Sequence, residues 1–95
     1  MPGYLIADID VTDPVAYQEY AKLTPAIIAK YGGKFLVRGG EAEVVEGTWN
    51  PNRLVVLEFE SLERAKEFYR SEEYRPVMEI RHKTAVSNLV FVEGA

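Results

Sequence analysis

The sequence predicts an α+β fold, a four-stranded antiparallel sheet with its helices on one face, assembled in the order β, α, β, β, α, β. Three observations carry this reading. The hydrophobic period switches repeatedly between about two and about 3.6 residues along a 95-residue chain. Each helical segment lies between strand segments, with a turn-rich loop at the centre. No repeat of 20 to 50 residues competes with that plan.

The first strand, Tyr4 to Val11, opens with four apolar residues and then alternates, as a strand covered on both faces does. Asp13 is placed to accept from free N–H groups at a helix start, and Pro14 at the first helical position loses no hydrogen bond. Tyr17, Tyr20, Ala21, Thr24, Ile27, Ile28 and Tyr31 then recur three or four apart, forming one stripe that should face the sheet. Pro25 inside this pattern removes a backbone donor and predicts a kink. Gly32-Gly33 ends the helix, the first glycine suiting a left-handed position. Lys34 to Arg38 is a second strand that Glu43 to Glu46 continues or follows, and Gly47 to Asn52 is a loop. Arg53 to Phe59 is the clearest strand. Ser61 caps a helix with Leu62, Ala65, Phe68 and Tyr69 on its buried stripe. Ser71 to Tyr74 marks a break, after which Tyr74, Val77, Met78 and Arg81 share one face of a short helix. Asn88 to Val92 is the last strand. Two crossover helices around a central hairpin make the ferredoxin-like split βαβ arrangement, βαββαβ.

Composition limits the function classes. At 95 residues the chain is a single domain, residues 1–95. With no cysteine and one histidine, it has no disulfide, thiolate site or multi-histidine centre, so no metal and no cofactor is expected. A net charge of −4 argues against nucleic acid as a partner, because a phosphate backbone is bound by clustered Lys and Arg. No apolar run approaches about 18 residues, so no membrane span is expected. The start, Met1-Pro2-Gly3-Tyr4, has neither the basic nor the apolar region of a secretory leader, and a cytoplasmic protein is the expectation.

Residues 54–57 and 89–92 are apolar at both parities, yet helices on one side cover only one sheet face. The uncovered face would be a large apolar patch on a monomer. A second copy placed sheet to sheet, giving a dimeric α/β barrel with helices outside, is the expected partner.

Arg38-Gly39-Gly40 is the most distinctive short stretch. A phosphate cradle is disfavoured by the acids that follow, Glu41 and Glu43, and an RNA-binding box by its single copy in an acidic chain. A Gly-Gly hairpin would make five strands, whereas a glycine bulge in one long bent strand keeps four, so the bulge is favoured with the hairpin as its alternative. On a regular strand Arg38 shares a face with Lys34 and Leu36, opposite Phe35 and Val37. If that face looks into the space between sheet and helices, Arg38 meets a ligand or an internal carboxylate such as Asp8 or Glu58; the alternative is a rim arginine.

Taken together, Tyr4-Leu5-Ile6-Ala7, Asp13-Pro14 with Tyr17 and Tyr20, the run Gly32 to Gly40, Glu46-Gly47 and the run Phe68 to Tyr74 resemble the bacterial family termed domain of unknown function 1330, related to the dimeric α/β-barrel superfamily. The resemblance spans essentially the whole chain. It implies a homodimeric ferredoxin-like barrel. The superfamily includes cofactor-free monooxygenases, haem-degrading enzymes, muconolactone isomerase and stress-response proteins, so the fold leaves the reaction open. A haem site would want an axial histidine, and His82 matches no such position.

Four residues are the ligand-binding candidates: Tyr17, Arg38, Tyr74 and Arg81. The tyrosines fall on sheet-facing stripes where a buried phenol needs a partner, and the arginines add charge to otherwise apolar faces. Tyr20 and Tyr69 share the stripes and fit equally a purely structural aromatic core. His82 is the one catalytic candidate, as the side chain titrating nearest neutrality, although its neighbours Arg81 and Lys83 fit a solvated surface. Trp49 in the central loop is expected to plug the edge of the dimer. Two functions follow as expectations: a cofactor-independent enzyme acting on a small organic acid or aromatic metabolite in a sheet–helix pocket, or a non-catalytic homodimeric module for metabolite binding or stress-related interaction.

Overall fold

The computed structural model describes residues 1–95. In chain order the elements are β1 (Gly3–Val11), α1 (Pro14–Lys30), β2 (Lys34–Arg38), β3 (Leu54–Phe59), α2 (Leu62–Tyr69), α3 (Tyr74–Thr84) and β4 (Ala85–Glu93). They form one four-stranded sheet in the order β2-β3-β1-β4, with every pairing antiparallel. This is the ferredoxin-like topology predicted from the element order, its second helical region divided in two.

Local chemistry sets the helix ends as expected. The Asp13 side chain accepts from the Ala16 N–H at 3.2 Å, and Pro14 opens α1. The helix runs on through Pro25 to Lys30, with the Thr24 hydroxyl donating to the Tyr20 carbonyl at 2.6 Å. Gly32 has φ +75°. Its N–H reaches Ala29 O at 3.0 Å, and that of Gly33 reaches Ile28 O at 2.9 Å, the paired bonds of a Schellman end. Ser61 accepts from the Arg64 N–H at 3.1 Å. Ser71 makes the break between α2 and α3 a built corner, donating to Phe68 O at 2.8 Å and accepting from the Tyr74 N–H at 3.2 Å.

The core lies between the sheet and the helices. Leu5, Ala7 and Ile9 alternate with less buried neighbours along β1, and Val55, Leu57 and Phe59 do so along β3. Phe59, Phe68 and Tyr74 are each 1% exposed, and their rings pack in series, Phe59 to Phe68 at 5.4 Å and Phe68 to Tyr74 at 4.5 Å. The opposite face is open. Val37 pairs with Val56, Val56 with Ile6 and Ile6 with Val90, so one apolar rung crosses all four strands. Val37 and Val90 remain 39% and 52% exposed.

Two expectations about the central segment are corrected. A bulge exists in β2, but at Leu36 rather than at the glycines: Phe35 pairs with Leu57 while Val37 pairs with the adjacent Val56. And the strand is neither long nor hairpinned, since it ends at Arg38 and residues 43–46 form no strand. Continuing the ladder would bring the chain opposite Pro51, which has no N–H, and Asn52, whose N–H donates instead to Asp8 at 2.9 Å.

Candidate functional site

A cavity lies between the sheet and the helices, with room for water centres over about 50 Å³. One water needs only roughly 10–15 Å³ of such space. Its floor is the inner face of β1 and β3, where Ala7 sits between Leu5 and Ile9. The small side chain of Ala7 leaves the space that a Leu would fill. The roof is Tyr17, Tyr20 and Thr24 from α1 and Tyr74 and Arg81 from α3.

Arg81 is the dominant feature. It lies two turns after Tyr74 on the same face of α3 and is 2% exposed. No carboxylate pairs with it, and its Nε and Nη2 atoms are buried without a hydrogen-bond partner. The guanidinium lies 5.9 Å from the centre of the Tyr20 ring, where it gains cation–π attraction but no neutralising charge. Buried charges in proteins are ordinarily paired and hydrogen-bonded, and this one has no carboxylate beside it.

Beside it the Tyr20 and Tyr74 hydroxyls share a hydrogen bond. Burial pushes the Tyr74 phenol up, and burial together with its neighbour Tyr74 does the same to Tyr20. Burial, then proximity to Tyr20, raises Tyr17. All three stay protonated near neutrality and act as neutral hydroxyls. Of the two that bond one another, only one proton is used between them. The pair retains a second O–H that can turn toward a bound oxygen.

Two more arginines line the same space, Arg38 and Arg53. The bulge decides the first. By absorbing one residue at Leu36 it turns Arg38 onto the face of Phe35, opposite Val55, and the guanidinium lies 4.4 Å from the centre of the Phe35 ring. The simple parity expected for Arg38 is thereby corrected, because a bulge shifts strand alternation by one residue. Arg38 meets neither Asp8 nor Glu58. Asp8 accepts from Trp49 Nε1 at 3.0 Å, and Glu58 is paired to Lys34 at 3.2 Å. Arg53, which sequence reasoning passed over as the first residue of a strand, stands near Tyr17, with its Nε buried and unpartnered. Gly39 makes room for it. A Cβ on Gly39 would lie 2.1 Å from Arg53 Nη1, and its φ of +67° is one that side-chain-bearing residues resist.

Thus Tyr17, Arg38, Tyr74 and Arg81 line a single cavity together with Arg53 and Tyr20, and no acid lines it. His82 lies outside. Its side chain is half exposed and 3.9 Å from Glu79 on the surface of α3. No cluster of three or more acidic or histidine side chains that could hold a metal occurs.

An apolar, arginine-bearing chamber thus lies between the helices and the sheet of a ferredoxin-like α+β domain. The chain belongs to the family described as Domain of unknown function (DUF1330), which it matches over residues 2–95. No curated protein matches it in sequence. Among solved structures it is similar to a protein of unknown function from Rhodopseudomonas palustris, with a TM-score of 0.78 and 18% identity over 99% of this chain and 82% of that one. It is similar also to SnoaB, a cofactor-independent oxygenase from Streptomyces nogalater, with a TM-score of 0.67 and 11% identity over 99% and 93%. A dimeric, ferredoxin-like protein of unknown function from Bacteroides fragilis gives a TM-score of 0.65 and 19% identity over 98% and 96%.

Proposed function

We propose that the protein takes a small organic acid into the sheet–helix cavity, Arg81 receiving the carboxylate, and that it acts on this acid as a cofactor-independent enzyme. The observation that carries the reading is the buried Arg81 guanidinium with no counter-charge and two unpartnered nitrogens. A guanidinium presents paired N–H donors that match a carboxylate edge, and a low-polarity surrounding strengthens that contact. Tyr74 and Tyr20 supply a protonated hydroxyl beside it, and Tyr17 an amphipathic wall. On a bound acid these groups can stabilise a developing oxyanion and donate a hydrogen bond to it. SnoaB, described as a cofactor-independent oxygenase, supports the catalytic side of the proposal by fold alone.

A second reading, a non-catalytic binding module, draws support from the cavity lining, which contains no carboxylate or imidazole to serve as a base. In both readings the working form is a homodimer joined through the apolar rung of Val37, Val56, Ile6 and Val90, with Trp49 at its edge. The dimeric Bacteroides fragilis protein supports this assembly. No helix is long and apolar enough to cross a membrane, and cytoplasmic action is part of the same proposal.

The test is thermal unfolding with benzoate and short-chain carboxylates. The acids should raise the midpoint of the wild type and leave an Arg81→Met variant unmoved. Equal shifts in both proteins, or none in either, would remove the acid-binding reading. Turnover of any acid, lost in Tyr74→Phe while binding persists, would decide for the enzyme over the module.

A further inference from the structure

We infer that the ligand is a dianion, a small dicarboxylate with an apolar body, held by Arg81 at one end and by Arg53 at the other. The inference rests on the acid-binding reading above and deepens it. Two guanidiniums from different elements, one on α3 and one leading into β3, line the same cavity. Both contain buried nitrogen without a partner, Nε and Nη2 in Arg81 and Nε in Arg53. Neither forms an ion pair, although the chain carries 15 acidic residues. Acids elsewhere on the molecule are engaged: Asp8 with Trp49, Glu58 with Lys34, Glu73 with Lys30. The cavity itself gathers three arginines with no acid among its lining residues.

The two arginines are spaced by chemistry suited to the middle of such a ligand. Arg81 lies 5.9 Å from the Tyr20 ring, that ring lies 5.3 Å from the ring of Tyr17, and Tyr17 neighbours Arg53, so the two tyrosine rings link the arginines. The local backbone is shaped to keep Arg53 there. Gly39, at φ +67°, leaves the space its guanidinium occupies. The Arg53 carbonyl is held by the Ile9 N–H at 2.9 Å and the Leu54 carbonyl by the Gly39 N–H at 2.7 Å. Arg38, exposed on the ring of Phe35, adds positive potential at the same end. A monoacid would leave one of the two stations empty.

Calorimetric titration with succinate, glutarate, adipate and terephthalate, each beside the monoacid of matched skeleton, tests this. Dicarboxylates should bind about tenfold to a hundredfold tighter than their monoacids, the range for an added hydrogen bond to a charged group, and the best chain length should report the span between the arginines. Arg53→Met should erase that preference, with circular dichroism showing that the variant is folded. If the variant fails to fold, Arg53→Lys should retain a reduced preference. Equal affinity for mono- and dicarboxylates in the wild type would overturn the dianion while leaving the acid site standing. Failure of every carboxylate to bind would remove both.

Discussion

Replacing Arg81 by methionine should stabilise the ligand-free protein while abolishing its affinity for acids. Methionine keeps an unbranched, flexible stem and drops the charge. In the wild type that charge is 2% exposed with no carboxylate partner, and withdrawing one ion from water costs several kcal/mol after relaxation. Two contacts offset this: the neighbouring Tyr74 hydroxyl and the Tyr20 ring at 5.9 Å, where a desolvated cation–π contact contributes about 2 kcal/mol. Even well-paired buried ions, replaced by apolar residues of similar volume, often give a gain of about 1–4 kcal/mol, and an unpaired one should fall within that range. For a domain of this size each kcal/mol moves the midpoint by about 4–8 °C. Urea and thermal unfolding at one fixed protomer concentration would measure it, since a dimer's stability depends on concentration. A loss of about 3–5 kcal/mol, as follows when a buried partner charge is stranded, would refute the premise that Arg81 is unpaired. With benzoate at 100 times its dissociation constant the wild type alone should gain about 2.7 kcal/mol.

Tyr74→Phe strands the Tyr20 hydroxyl and should cost about 1–3 kcal/mol, read from denaturant midpoints, and a second change, Tyr20→Phe, should recover part of that loss because both partners are then gone. Gly39→Ala should cost about 1–2 kcal/mol for its left-handed backbone and weaken dicarboxylate binding by displacing Arg53. Val90→Arg, in the middle of the open apolar rung, should convert a dimer to monomer in sedimentation analysis without loss of helix content; an unchanged dimer would exclude that face as the interface. The Trp49 N–H, followed by the Asn52 N–H, holds the Asp8 carboxyl below its ordinary value of 3.8. The sign follows: the tether's contribution is present above pH 3.8 and is lost as pH falls through the lower, folded value. The emission of Trp49, the single tryptophan, should shift as acid releases it, and Asp8→Ala should show the released spectrum at neutral pH.

Much of the fold is written locally. Asp13-Pro14, Gly32-Gly33 and Ser61 mark helix ends through bonds to their own near neighbours, so residue type and spacing suffice to place them. The tyrosine and Arg81 stripes are equally legible because a helix maps spacings of three and four onto one face. Three of the cavity-lining residues, Tyr17, Tyr74 and Arg81, were visible for that reason, whereas Arg38 stood out only as a charge beside Gly39-Gly40, with its face misassigned. Arg53 was not visible. At the start of an apolar strand it reads as a solvated end, and only the approach of Gly39, from the far end of the 15-residue connection between β2 and β3, shows where its side chain goes.

The central segment shows the same limit. Glu43 to Glu46 has the apolar centre of a strand, but the ladder would first have to pass Glu41 and Ala42, which fall opposite an Asn52 whose N–H is already bound to Asp8 and opposite Pro51, which has no N–H. The bulge at Leu36 carries no glycine to betray it. It arises from how β2 registers on β3, and it alone turns Arg38 toward the cavity.

Element order, helix caps, two-sided apolar strands and the residue types of the stripes are all legible in the chain, because each depends on interactions a few residues apart. That Arg81 is buried without a counter-charge, that Arg53 joins it in one chamber and that no acid lines that chamber emerge only on folding. Charge pairing and burial are properties of space around a side chain, and the residues that fill that space are distant in the chain.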